Sequence, residues 1–544
     1  MLAPLTGKQR KWVDDTLNKL SMEQLVGHLL CPESRNYSIR DWLDILEKVP
    51  LGCIFSCEKR LEENELLLRE LQKASAVPLL VAADMEHGAI MFKKGVARFP
   101  DQMAVGAADD AELAYQMGRA TAKESRCRGV HWTFSPVVDL NLNFQNPVTN
   151  HRSLGDNPDK TIPLFQAIVR GLQEDGLMAA TVKHFPGDGV DDRDQHLCTS
   201  VNSLPKWQWE KLYGRVWRAA FDAGAMSVMA GHISYPDWQG FADSPADALP
   251  ATLCESLQVG LLRRELGFEG LLVSDAAPMV GITSRVKAEE MALKNIVSGS
   301  DVFLFAEPVK DFERLMAAVK DGRLSEGRVR EAARRVLEMK ARLNLHVDPF
   351  GKQPSAVELK GFEASAQAMA DKAATALRGP CRVPKKLAGK GKRVLTVTLT
   401  YVNKTRQSDL EVFDAELKER GYEVEHLLNP EHNVLMKRCG EVSMVFVNVL
   451  SVMHLRIGTT RLTGEAVMPF WRSFYANHDN VFFSAFGSPY LLHEQPHLPN
   501  LLALYSAEST AQRAAVKVWL GEIKPEGVCP VRLPQVKVKA LDLD

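Results

Sequence analysis

Phe268-Glu269-Gly270-Leu271-Leu272-Val273-Ser274-Asp275 reads as a short apolar strand that closes on a carboxylate. An Asp at the carboxyl end of a buried strand either caps the next helix or faces the mouth of a sheet, where ligands bind. The same pattern recurs upstream. Leu79-Leu80-Val81-Ala82-Ala83 ends in Asp84, Ala179-Ala180-Thr181-Val182 ends in Lys183 and His184, and Ser227-Val228-Met229-Ala230-Gly231 ends in His232. Trp132-Thr133-Phe134 leads through Ser135-Pro136-Val137-Val138 to Asp139, and Val302-Phe303-Leu304-Phe305 follows Asp275. Counting from Gly52-Cys53-Ile54-Phe55, about seven strands are visible. Between them lie helical patterns such as Ile162, Phe165, Ile168, Val169 and Leu172, spaced to bury one face. Alternating strand and helix gives an α/β barrel or a doubly wound sheet, and polar side chains converging from many strand ends favour the barrel.

The segment Lys183-His184-Phe185-Pro186-Gly187-Asp188-Gly189-Val190-Asp191-Asp192-Arg193-Asp194-Gln195-His196 leaves one of these strands through turn residues. Pro186, Gly187 and Gly189 let the backbone bend tightly. Asp194 and His196 are separated by one residue, so both can turn toward one site. A carboxylate hydrogen-bonded to one imidazole nitrogen fixes the tautomer and leaves the other nitrogen for proton transfer. With Asp275, this supplies a nucleophile and an acid/base; the competing reading is a solvated acidic loop that happens to hold a histidine.

Composition narrows the classes. The chain has 544 residues, enough for two or three domains. A net charge of -1 argues against nucleic acid or an anionic membrane as the main partner. Met1 to Lys19 is charged and lacks the apolar centre of a signal peptide, and no apolar run has the length of a membrane span. Nine scattered cysteines read as reduced thiols, which points to a cytoplasmic protein. Neither a zinc pattern nor a phosphate-binding glycine loop is present, so no metal and no cofactor is expected.

A boundary falls where Val347-Asp348-Pro349-Phe350-Gly351-Lys352-Gln353-Pro354 breaks regular structure. Residues 1–345 form the expected barrel, and 346–390 a linker carrying a helix from Ala364 to Leu377. Residues 391–544 show a second alternation, with strands at Arg393–Leu399, Met444–Val449 and Val481–Phe486. The expected fold class is α/β: an N-terminal (β/α)8-type TIM barrel followed by a smaller α/β/α sandwich.

These motifs resemble glycoside hydrolase family 3, and the resemblance covers nearly the whole chain. Ser274, Asp275 and Met279 match its nucleophile motif. Lys183 to Gly189 and Asp194-Gln195-His196 match its Lys-His-Phe-Pro-Gly-His-Gly loop leading to Asp-Ser-His. Arg152-Ser153-Leu154-Gly155-Asp156-Asn157-Pro158 matches a flanking signature. The Asp-x-His loop points to the β-N-acetylglucosaminidase branch, since the β-glucosidase branch takes its acid/base from a glutamate in the second domain. The resemblance implies Asp275 as nucleophile, His196 as acid/base and Asp194 as its orienting partner, with Asp84, Arg152, Lys183 and His184 holding sugar hydroxyls. Met229 and His232 at a strand end are read as lining the pocket. Three departures stand out: Asp188 where the family has His, Gln195 where it has Ser, and His87 in place of Gly.

The implied function is a retaining exo-β-N-acetylglucosaminidase working by double displacement on cell-wall or chitin fragments. In the general scheme two carboxyl groups about 5 Å apart divide the work; here an imidazole takes the second role. A β-N-acetylglucosaminide phosphorylase, a β-glucosidase and a catalytically silent sugar-binding relative are the alternatives. A neutral imidazole does not repel phosphate as a carboxylate does, but Asp188 adds a negative charge to the loop, which tips the expectation toward water as acceptor.

Overall fold

The structure, a computed structural model, describes residues 2–57, 61–92, 94–388, 391–401, 410–453, 458–476 and 478–534. Positions 389 and 390, at the end of the linker read from the sequence, lie outside the described residues. The chain divides into two units. One comprises Met1–Arg98, Ala111–Leu140 and Pro158–Ser365; the other comprises Phe99–Asp110, Asn141–Asn157 and Ala366–Asp544.

In the first unit six parallel strands pair in the order Cys53–Phe55, Leu80–Ala83, Trp132–Thr133, Ala179–Phe185, Ser227–Ala230 and Leu271–Ser274. A further parallel pair, Leu30–Cys31 with Phe303–Leu304, joins both edges. It does so through bridges from Glu33 to Phe55 and from Val302 to Val273. The result is a closed ring of eight parallel strands with helices between them. The strand missing from the sequence reading is Leu30–Cys31, two residues long and ended by Pro32, too short to show a period.

The barrel interior is filled by Phe55, Leu80, Trp132, Phe134, Met229, Leu271, Val273 and Leu304, among others. Trp132 is fully buried and its indole N–H donates to Thr181 Oγ1 at 2.6 Å, so it is a core residue. The strand that carries Asp275 is fixed near its start by Asp301. This fully buried carboxylate accepts from the Leu272 N–H at 2.9 Å and pairs with Arg263, Arg328 and Arg335 at 2.8, 3.1 and 2.9 Å. Removing it would strand buried guanidinium groups, a change costing about 3–5 kcal/mol.

The second unit is built on a six-stranded sheet in the order Thr375–Arg378, Leu501–Ala503, Val481–Gly487, Met444–Ser451, Arg393–Thr400, Glu423–Leu428. The first pair is antiparallel and the others are parallel. Alternate residues of its central strands enter two cores. Met444, Phe446 and Phe482 join Trp519 on one side, and Val445, Val447 and Phe483 join Leu435 and Phe474 on the other. The helix expected over Ala364–Leu377 spans Ala356–Ala373. Thr375–Arg378 instead extends as the edge strand against Leu501–Ala503, its ladder partner overriding a helix-compatible local sequence. Among the described residues no helix is long and apolar enough to cross a membrane.

Candidate active site

The carboxyl ends of the barrel strands bring Asp84, Lys183, His184, His232 and Asp275 to one face of the first unit, as parallel strands in a closed ring must. Asp275 directly follows Leu271–Ser274 and is 7% exposed. Its backbone N–H donates to the Ala230 carbonyl at 2.9 Å, and Oδ1 accepts from the Ala276 N–H at 2.7 Å. Oδ2 is buried and accepts no hydrogen bond from the described residues. Burial pushes this carboxyl up, but His232, His184, the Ala276 N–H and Lys183 outweigh it and hold it below the ordinary carboxylate value. Burial pushes the His232 imidazole below its ordinary value.

Lys183 is 3% exposed and pairs with Asp84 Oδ1 at 3.3 Å and Glu86 Oε1 at 2.8 Å. The Asp84 side chain is 57% exposed, which makes it the carboxylate of this group open to a ligand. His184 donates from Nδ1 to Asp139 Oδ2 at 2.7 Å and from its backbone N–H to Oδ1 at 3.0 Å. Asp139 is thus the anchor of His184, and it also receives the Asp188 N–H at 2.7 Å.

Asp194 and His196 turn toward each other within the loop. Asp194 Oδ1 accepts from the His196 backbone at 2.8 Å and from its Nδ1 at 2.7 Å. The loop docks on the segment that follows Asp275, where the Val280 and Gly281 N–H groups donate to the His196 and Gln195 carbonyls, each at 3.2 Å. Gly281 is required there. A Cβ would lie 2.6 Å from His232 Cβ and 2.8 Å from the Gln195 carbonyl oxygen.

Met229 and His232, read from the sequence as pocket residues, have other surroundings. Met229 is 2% exposed and belongs to the barrel core. His232 is fully buried with both ring nitrogens engaged, Nδ1 with Thr252 Oγ1 and Nε2 with the Ala276 carbonyl, each at 2.9 Å. Arg152 closes the short helix Asn150–Arg152, grouped with the second unit, and donates to the Val148 carbonyl at 3.3 Å. Asp188 was read as adding a charge in the acceptor's path. It is 2% exposed, with Oδ1 accepting from the Gly189 N–H at 2.7 Å and Oδ2 from Gln195 Nε2 at 3.1 Å. Sequence reasoning passed over Glu86, although its place two residues beyond Asp84 was a usable signal. It also passed over Thr252, which had none. Among the described residues no group of three or more His, Cys, Asp or Glu side chains is placed to hold a metal ion.

A closed (β/α)8 barrel with acidic, basic and imidazole groups at its strand ends defines the class of ligand-processing barrel proteins. The description "Glycosyl hydrolase family 3 N terminal domain" matches residues 21–339, and the chain belongs to this family. It is 35% identical over 348 residues to a "Beta-N-acetylglucosaminidase/beta-glucosidase" of Cellulomonas fimi; the match covers 62% of this chain and spans only 60% of that relative's length. Among solved structures, "Beta-glucoside phosphorylase BglX bound to 2FGlc" superposes with a TM-score of 0.86 at 28% identity, covering 97% of both chains. A family 3 β-N-acetylglucosaminidase from Paenibacillus sp. str. FPU-7 gives 0.82 at 27% identity, covering 94% of this chain and 99% of that one.

Proposed function

We propose that the chain is a retaining exo-β-N-acetylglucosaminidase that removes terminal β-linked N-acetylglucosamine through a covalent glycosyl-enzyme. The observation that carries this reading is the pairing of two prepared groups in one loop-and-strand assembly. One is a carboxylate held below its ordinary value, with Oδ2 unclaimed among the described residues; the other is an imidazole whose Nδ1 is committed to a carboxylate. In the first step Asp275 attacks the anomeric carbon while His196 Nε2–H protonates the departing oxygen. In the second, the neutral ring removes a proton from water, which displaces Asp275 at the same carbon. Asp194 fixes the ring's tautomer throughout. Asp84, Lys183 and His184 bind the sugar hydroxyls, while Met229 and His232 support the strand end from within.

The named relatives favour this substrate class, and one of them also carries a glucosidase name. The test is product stereochemistry by NMR on aryl β-N-acetylglucosaminide and β-glucoside substrates. Early appearance of the β-anomer from the first, with slower turnover of the second, supports the reading. The α-anomer first would require an inverting mechanism, and turnover of neither substrate would leave a sugar-binding relative.

A second reading, phosphate as the acceptor in the same second step, is favoured by one observation. The carboxylate of Asp188 is buried, with both oxygens turned onto the Gly189 N–H and the Gln195 carboxamide of its own loop, so it is not presented to an incoming anion. The full-length likeness to the β-glucoside phosphorylase points the same way.

A further inference from the structure

The two loop positions that depart from the resembled pattern touch each other. Gln195 is 1% exposed and Asp188 2%, and Gln195 Nε2 donates to Asp188 Oδ2 at 3.1 Å. The other end of the same carboxamide, Oε1, accepts from the His232 backbone N–H at 3.2 Å. One side chain therefore ties the start of the loop to its end, and both to the strand end that precedes the nucleophile strand.

Asp188 is itself a fixed point. Its N–H donates to Asp139, Oδ1 accepts from the Gly189 N–H, and its carbonyl accepts from the Tyr213 hydroxyl. Tyr213 packs so closely on Gly187 that a Cβ there would lie 2.3 Å from its ring. Between these anchors Asp192 and Arg193 are exposed, and the loop's middle is tied to neighbouring chain, Asp191 accepting from the Arg193 guanidinium at 2.7 Å and from the Val201 N–H at 2.7 Å, which leaves the crossing to the His232 strand end to Gln195.

We propose that Gln195 is a positioning residue for the acid/base dyad. Its carboxamide spans Asp188 and His232, and so fixes Asp194 and His196, the residues on either side of it, against the end of the nucleophile strand. This rests on the roles assigned above to His196 and Asp194. The residue type follows from the contacts: one end must donate to a carboxylate and the other must accept from an N–H. A carboxylate in its place would face Asp188 with like charge, a lysine has no acceptor, and a serine is too short to make both bonds.

The polarity of the pair can be reversed. Gln195→Glu opposes two carboxylates, and adding Asp188→Asn restores a donor–acceptor pair while keeping an oxygen for the Gly189 and His232 N–H groups. The first readout is kcat/KM on aryl glycosides of poor and good leaving groups, since misplacing His196 penalises those that need a proton. Gln195→Glu is expected to lower the poor-leaving-group value about 10-fold more than the good one, and the double variant to return to within about 3-fold of wild type. The second readout is hydrogen exchange of the His196 to Cys198 amides, faster in Gln195→Glu and restored in the double variant. Gln195→Met, which keeps the packing and removes both hydrogen bonds, carries the test if Gln195→Glu does not fold.

Equal losses on both substrates, or a double variant as impaired as the single, would overturn the brace. Should the wild-type protein turn over no β-glycoside, the assigned roles fail, and exchange alone then decides whether Gln195 holds the loop.

Discussion

Asp194 and His196 share a single oxygen: Asp194 Oδ1 accepts from the backbone N–H of His196 at 2.8 Å and from its ring Nδ1 at 2.7 Å. An ionised carboxylate only accepts, so Nδ1 carries the proton and Nε2 is the nitrogen left for acid/base work. Truncating either residue has a distinct consequence. His196→Ala should reduce kcat/KM by about 10²–10⁴-fold on substrates with poor leaving groups and far less on dinitrophenyl glycosides. Asp194→Ala loses the backbone tether and the tautomer control together, and should give the same leaving-group dependence at smaller amplitude. Equal damage across leaving groups would make this pair structural.

Asp275→Asn should abolish turnover, by about 10⁴-fold or more, with the fold retained. Mass spectrometry after inactivation by a slow fluorinated sugar should find the label on Asp275; a label on another carboxylate would move the nucleophile. The variant also has a pH signature. The folded carboxyl lies below its ordinary value, so its contribution to stability is complete above about pH 5 and declines as the pH falls through about 4 and below. Acidification from pH 6 to about 3 should therefore destabilise the wild type more than Asp275→Asn, as read from thermal unfolding. Parallel curves would mean that His232, His184, Lys183 and the Ala276 N–H do not outweigh burial.

Much of this site was legible because barrel chemistry collects at strand ends. Asp84, Lys183, His184 and Asp275 stand immediately after short apolar runs, and parallel pairing carries each to the same face. Asp194 and His196 were legible by spacing alone. What escaped depends on contacts distant in sequence. Leu30–Cys31 is a strand only because Phe303–Leu304 lies beside it. His232 was read as a pocket residue because nothing local discloses Thr252, twenty positions on, as the partner of its Nδ1. Asp188 was read as a free charge because its ties to Gln195 and Gly189 exist only once the loop has closed.

Gly281→Ala tests the docking of that loop without removing a polar group. The added methyl meets backbone and Cβ atoms rather than the end of a flexible side chain, so the loop or His232 must give way. A loss of about 1–3 kcal/mol in stability is expected, with a fall in kcat larger than any rise in KM. An unchanged kcat would show that the loop reaches its working position without this contact.

The acceptor decides the reaction's name, and one intermediate serves both candidates. Water reaches the glycosyl-enzyme in any buffer. Phosphate must bring negative charge past the loop, where the Asp188 carboxylate is buried and turned onto Gly189 and Gln195 and the base is an imidazole in place of a carboxylate. We therefore expect hydrolysis in phosphate-free buffer and, as phosphate is raised through the millimolar range, a saturable partition of product toward sugar 1-phosphate. Asp188→Asn should leave that partition within about 3-fold, because the carboxylate is buried and both its oxygens are turned onto donors of its own loop. Steady-state rates with product identification across the titration measure this directly. Free sugar alone at every concentration would confine the enzyme to water, and a large gain in sugar 1-phosphate on replacing Asp188 would show that its charge is felt after all.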